Sequence, residues 1–241
     1  MPRRARVLSC TNVYHVMFRG VNKRQIFFDD EDHQYLIDTI NRYKIISGYE
    51  VYAFCLMDNH FHLLIKIGQE PLGIVFRRIG DAYVFWYNKK YDRCGHLFQN
   101  RYRSEPVEDE QYLLHVWRYI LQNPIKAGIC KLPQEYKWSS ALEYCYGKAC
   151  ITDMAYIVGI LGDNLKDYMQ KNDEDEVWRN DHGRHRLSDK EALKIIQNDN
   201  MPEEKEKLPS WVKRQITAGI SVRQLSRLSG ITKNRIERMK K

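Results

Sequence analysis

The sequence predicts an α+β fold: an antiparallel sheet with helices packed on it, followed by a small all-α unit. Three observations predict it. Strand and helix periods alternate through the first half of the chain, a two-residue turn at Asp58-Asn59 joins two strand patterns as a hairpin, and from about residue 187 onward only helical periods remain.

Val13 to Arg19 reads as the first strand. Asp32 to Ile46 has a helical period that sets Tyr35, Leu36, Ile40 and Tyr43 on one side, and Gly48 ends it. Tyr49 to Met57 and His60 to Ile67 are the hairpin strands. Pro71 opens a helix reaching about Asn88. Leu97 to Val107 contains a fourth strand, and a further helix runs from about Asp109 to Asn123, where Pro124 is expected to stop it. The order β-α-β-β-α-β is the split-βαβ, ferredoxin-like pattern. Its two crossover helices share one sheet face, so the extra helix is expected on the open face. A short helix follows Trp138-Ser139-Ser140, and residues 1–150 are expected to form one domain. Residues 151–186, acid-rich from Asp163 to Asp181, read as a helical and acidic linker. A second domain, 187–241, opens on a capping box, Ser188-Asp189-Lys190-Glu191, with helices at about 189–198, 209–218, 222–229 and 232–240.

The formal net charge is +8 and is unevenly placed. Eleven basic and two acidic residues lie between Lys205 and Lys241, an excess that covers the whole imbalance. A basic module that small points to a polyanion, most simply nucleic acid, with a solvated basic surface as the plainer alternative. No apolar run approaches a membrane span, and Met1-Pro2-Arg3-Arg4-Ala5-Arg6 has no apolar core after it of the kind a secretory signal carries. No membrane partner is expected. The six cysteines include no Cys-x-x-Cys pair and read as reduced thiols in a cytoplasm.

The chemistry concentrates in two places. Side chains alternate along a strand, so His60 and His62 share a face about 7 Å apart while Phe61 points into the core. Two imidazoles so placed can ligate one metal ion, although such pairs also arise by chance. On the later helix, Leu113, Trp117, Ile120 and Leu121 form the core stripe, and Tyr112, Tyr119 and Asn123 a second stripe beside it. Tyr119 and Asn123, four residues apart, stack on one helix face. Without the histidines, the reading that prevails is Tyr119 as a packing residue and Asn123 as a helix cap before Pro124.

Met57-Asp58-Asn59-His60-Phe61-His62-Leu63-Leu64-Ile65 resembles the HUH motif of the Y1 transposases, and Arg118-Tyr119-Ile120-Leu121-Gln122-Asn123-Pro124-Ile125-Lys126-Ala127-Gly128 resembles their tyrosine helix. Within that IS200/IS605-like group the resemblance is closest to REP-associated tyrosine transposases. Tyr14 to Asn22, His96 to Tyr102 and Tyr136 to Ser140 match in the same order, so the resemblance spans about residues 1 to 146. It departs from many relatives in having Asp58-Asn59 rather than Pro-Asn before the first histidine. The resemblance implies the same ferredoxin-like fold with an extra catalytic helix. It implies His60, His62 and the Asn123 position as metal ligands and Tyr119 as the nucleophile.

The implied chemistry is cleavage and rejoining of single-stranded or hairpin DNA through a 5′-phosphotyrosine that leaves a free 3′-hydroxyl. Mg²⁺ or Mn²⁺ would polarise the phosphoryl oxygen. Arg19, Lys23, Arg24, Arg101 and Arg103 are candidate phosphate contacts, the latter two sharing a face of the fourth strand, and the arm Arg3, Arg4 and Arg6 a candidate for a hairpin minor groove. Ser221 to Met239 reads as a helix-turn-helix: Ser221 caps one helix, Gly230 makes the turn, and Thr232 caps the second. Lys233, Asn234, Arg235 and Arg238 lie near the start of that second helix, where duplex bases are read; a plain helical hairpin is the alternative. The enzyme reading, as monomer or homodimer, competes with a domesticated sequence-specific DNA-binding protein that no longer cuts, and with a replication initiator or relaxase.

Overall fold

The structure, a computed structural model, describes residues 7–148, 150–171, 189–202, 204 and 206–240. Packing divides the chain into two compact units, Met1–Lys171 and Asn172–Lys241.

The first unit holds a four-stranded antiparallel sheet in the order β2-β3-β1-β4. Its strands are β1 (Val13–Arg19), β2 (Glu50–Met57), β3 (His60–Lys66) and β4 (Arg103–Pro106). Helices α1 (Asp30–Ser47) and α2 (Leu72–Lys90) cover one face, and α3 (Glu110–Lys126) covers the other against β2 and β3. Alternation decides the faces. Tyr14, Val16 and Phe18 of β1 meet Phe61, Leu63 and Ile65 of β3 in the core beneath α1 and α2, while Val13 and Leu64 join the core beneath α3. In β2 the register slips between Val51 and Ala53, so Val51 and Phe54 serve one core and Tyr52 and Ala53 the other.

Local chemistry sets the helix ends. Asp29 caps α1 by accepting from Asp32 N–H, and the Asp32 carboxylate accepts from the backbone of Phe28 and Asp29, so the helix starts two residues before the expected Asp32. Gly48 ends it in the left-handed conformation, at φ 64°.

Pro124 does not stop α3, contrary to the sequence expectation; it lies inside the helix. A proline removes the amide that would serve the carbonyl four residues back. Here the Asn123 side chain substitutes, donating to the carbonyls of Tyr119 at 2.9 Å and Ile120 at 3.4 Å. The helix ends instead at Gly128, φ 72°, where Gly128 N–H donates to Ile125 and Ile129 N–H to Pro124.

The division expected at residue 150 is also displaced. After α4 (Ala141–Tyr146), the helices α5 (Ala155–Leu161) and α6 (Leu165–Gln170) bury Ile157, Leu165 and Met169 in the α3 core, and Gln122 donates to the carbonyls of Met169 and Lys171. Apolar residues at helical spacing outweigh the acidic composition there, so the first unit runs on to Lys171. The expected cap at Ser188 lies outside the described residues.

In the second unit, α7 (Asp189–Asn198), α8 (Leu208–Thr217), α9 (Val222–Ser229) and α10 (Lys233–Lys240) surround Trp211, Leu225 and Ile236. Ser221 caps α9 by accepting from Gln224 N–H, and Gly230 ends it at φ 73°. Asp199 holds α8 through Arg214, at 3.0 Å to two guanidinium nitrogens, and Gln215, at 2.7 Å.

Gly20, where β1 ends beside the β2–β3 turn, tests this account. It donates to the Asn59 carbonyl, and a Cβ there would stand 2.1 Å from the Arg24 carbonyl oxygen. Gly20→Ala is expected to destabilise the first unit by about 1–3 kcal/mol, as overpacking does, and a denaturant melt of the full chain measures it. An unchanged midpoint would contradict the close approach.

Candidate active site

The β1–β3 register builds the site. Arg19 lies opposite His60, Met17 opposite His62 and His15 opposite Leu64, and on the other side of β1 His15 pairs with Glu105 and Met17 with Arg103. Directly opposed residues share a face. His15, His60, His62, Arg19, Arg103 and Glu105 therefore all stand on the face that carries α3. Phe61 points the other way, fully buried and stacked on Phe18 at 4.9 Å.

His62 is nearly buried, and His60 and His15 are half-buried. The His60 and His62 rings lie 5.0 Å apart. Each has a partner on Nδ1: Asn59 Oδ1 at 2.6 Å from His60, and His15 Nε2 at 2.8 Å from His62. Tyr119, half-buried on α3, sets its ring edge-on to His62 at 5.6 Å and to His15 at 6.0 Å. The ammonium of Lys126 sits 4.8 Å from the centre of the Tyr119 ring. Nearby, the Tyr112 hydroxyl donates to Glu105 at 2.6 Å.

All three imidazoles are held neutral. Burial, then the charge of Arg103, lowers the His15 pKa to about 4. Burial and Arg19 lower His60 to about 4 against a small opposing pull from Asp58. Burial, then its histidine neighbours and Arg19, keeps His62 well below the usual imidazole range. Neutral imidazole is the form that offers a lone pair.

The donor set fits a divalent cation. An amide oxygen can only accept, so His60 Nδ1 carries the proton and its Nε2 the lone pair. The same tautomer at His62 would present two Nε2 lone pairs from one strand face. Outer partners on the far ring nitrogen are the usual support of metal-binding histidines. Among the described residues no three His, Cys, Asp or Glu side chains converge as a metal centre; His15 turns toward His62, not toward a point shared by all three rings. Asn123 lies one turn beyond Tyr119, with its amide nitrogen engaged by the helix, and its oxygen is the atom a cation would take.

The other expected contacts are spread out. Arg19 closes β1, with its Nε buried and lacking a hydrogen-bond partner among the described residues. Lys23 and Arg24 are exposed in the turn after it. Arg103 opens β4 on the histidine face, but Arg101 precedes the strand, which is shorter than its apolar flanks suggest, so the two do not share a strand face. Arg3, Arg4 and Arg6 lie outside the described residues. Lys233, Asn234, Arg235 and Arg238 are exposed on α10 of the second unit. The sequence reading missed His15 and Lys126. The signal for His15 was its place on an alternating strand that this sheet order must set beside His62.

The family described as "Transposase IS200 like" matches residues 9–123. A Haemophilus influenzae protein provisionally named a REP-associated tyrosine transposase is 26% identical over 136 residues, covering 48% of this chain and 76% of that protein. Among solved structures, a REP-associated tyrosine transposase bound to a REP hairpin superposes with a TM-score of 0.52 at 18% identity, over 63% of this chain and 90% of that one, which is a likeness of fold. A Deinococcus radiodurans protein, provisionally named a transposase, is 19% identical with a TM-score of 0.36 over 49% of this chain and 95% of its own.

The neutral histidines predict an acid sensitivity with a definite sign. Their folded pKa values lie below the ~6.5 of the unfolded chain, so between about pH 6.5 and 4 the unfolded state binds more protons. Stability should be full above that window and fall as pH drops through it. Thermal midpoints of the full chain from pH 7 to 5 measure this, and His62→Gln should flatten the slope; an identical slope in that variant would contradict the assignment.

Proposed function

The chain belongs to the IS200-like transposase family through residues 9–123, and on that premise we propose that it is a metal-dependent endonuclease and strand transferase for single-stranded DNA. The fold is read as ferredoxin-like, with α3 as the added catalytic helix. The observation that carries this reading is the Tyr119 phenol edge-on against His62 and His15 on the sheet face beneath α3.

In this reading Tyr119 is the nucleophile. Its oxygen bonds to phosphorus, the bond from phosphorus to the 3′-oxygen breaks, the phenolic proton leaves, and the 3′-oxygen departs as a hydroxyl. The DNA end stays on the protein as a 5′-phosphotyrosine, which conserves the bond for rejoining. Lys126 favours negative charge on the phenol as it attacks, because a cation sits over the ring. His60, His62 and the Asn123 oxygen would hold Mg²⁺ or Mn²⁺, which when bound supplies polarisation of the phosphoryl oxygen. Arg19 and Arg103, beside the histidines, are placed for the flanking phosphates.

Hairpin DNA is the proposed substrate. It is the partner of the REP-bound protein of similar fold, and a hairpin offers unpaired phosphates next to a stem. The second unit is proposed as a helix-turn-helix for duplex, supported by the Ser221 cap, the Gly230 turn and the exposed basic start of α10. The proposed division is a catalytic domain ending near Lys171 and a DNA-binding domain from about residue 187. The six cysteines are free thiols, which suits a reducing cytoplasm, and no helix among the described residues is long and apolar enough to cross a membrane.

A denaturing gel of end-labelled hairpin DNA with Mn²⁺ tests the activity. The intact chain should form a covalent adduct and Tyr119→Phe none. His60→Ala or His62→Ala should lose more than the ten- to hundredfold that outer-shell changes cost. Binding without an adduct would favour a DNA-binding protein that does not cut. In the second unit, Arg235→Ala with Arg238→Ala should weaken duplex binding and lower the salt slope by about 0.9 per lost phosphate contact, leaving adduct formation on a minimal hairpin intact.

A further inference from the structure

We propose that His15 is a positioning residue of this site: its Nε2 accepts a hydrogen bond from His62 Nδ1–H and so fixes the tautomer in which His62 presents an Nε2 lone pair. Its purpose, presenting His62 to a cation, rests on the metal-dependent reading above; its geometry does not.

A pair of imidazole nitrogens 2.8 Å apart must share one proton. Two arrangements are open, and they differ at the far end of His62. If His62 donates, its Nε2 is bare; if His15 donates, His62 Nε2 carries a hydrogen and cannot bind a cation. The neighbouring histidine shows which arrangement suits the site. Asn59 Oδ1, 2.6 Å from His60 Nδ1, leaves that ring only the Nε2 lone pair. With His15 accepting, the same pattern occurs twice on one strand, each histidine held from behind through Nδ1.

Packing adds a second argument. His62 is 2% exposed, so its ring nitrogen has little access to water and needs a protein acceptor. The two rings lie 5.1 Å apart at 21°, a stacked arrangement that limits rotation of His62 about its side-chain bonds. Position 15 stands between Val13 and Met17 on the same face of β1, where an apolar residue would meet the needs of the core. A histidine there serves His62.

The test uses the full chain with ¹⁵N-labelled histidine, free of metal and DNA, and reads the His62 tautomer by NMR. Mn²⁺ uptake is followed separately by electron paramagnetic resonance. His15→Gln keeps an acceptor oxygen, and His15→Leu removes it. The wild-type chain and H15Q should hold His62 as the Nδ1–H tautomer, and H15L should show a mixture. Mn²⁺ affinity should fall roughly ten- to a hundredfold in H15L and less in H15Q. A wild-type His62 protonated on Nε2 would overturn the assignment, as would an H15L chain unchanged in both readouts. A fixed Nδ1–H tautomer with no Mn²⁺ uptake would defeat the metal-dependent reading and leave the role of His15 standing. Uptake with an unfixed tautomer would defeat His15 alone. Should H15L not fold, the wild-type spectrum and H15Q still decide.

Discussion

The antiparallel register of β1 on β3 is the constraint on which the rest of the structure depends. Side chains repeat every second residue, so a slip of one position would send Phe18 and Phe61 toward α3 and the histidines into the core under α1 and α2. The apolar alternation of Tyr14, Val16 and Phe18 against Phe61, Leu63 and Ile65 forbids that slip. The large core thus aligns the polar groups on the opposite face.

That opposite face divides between packing and chemistry. Toward β2 it is apolar, with Tyr52, Ala53, Cys55 and Met57 beneath Trp117, Ile120 and Leu121. Toward β4 it is polar, with His15, Arg103 and Glu105. Tyr119 lies at the seam. Four other tyrosines serve the fold: Tyr49, Tyr83, Tyr136 and Tyr144 each donate to a backbone carbonyl and tie a helix or loop to its neighbour. The Tyr119 ring lies among imidazole rings. Keeping those rings uncharged is what makes their burial tolerable, since desolvating neutral imidazole costs far less than desolvating its cation.

Much of this was legible in the chain itself. Period-two and period-3.6 patterns located the first three strands and most of the described helices within a few residues, and set the short fourth strand inside a longer window, because each element buries one face and its pattern reports that face. The His-x-His pair and the tyrosine stripe were readable for the same reason. What escaped depends on side chains acting between elements or on the backbone. The bulge at Val51–Ala53 alters a phase that periodicity assumes constant. The rescue of Pro124 by Asn123 reverses a reliable rule about proline. Acidic composition suggested only a helical linker where α5 and α6 lie, and it masked their packing into the α3 core. His15 needed the strand order, which no local window contains.

The Asn123–Pro124 pair has a consequence for how this helix tolerates change. In most helices a carbonyl deprived of its amide partner can recruit water or tighten into another turn type. Here the vacancy at Ile120 is covered by one side-chain amide that also reaches Tyr119, so the orientation of that amide is dictated by a missing hydrogen. A residue with an ordinary N–H at position 124 would restore the generic ladder and release Asn123 to rotate. The imino acid therefore works here as an indirect lock: it strengthens nothing itself, yet it leaves its neighbour a single useful pose one turn from the phenol.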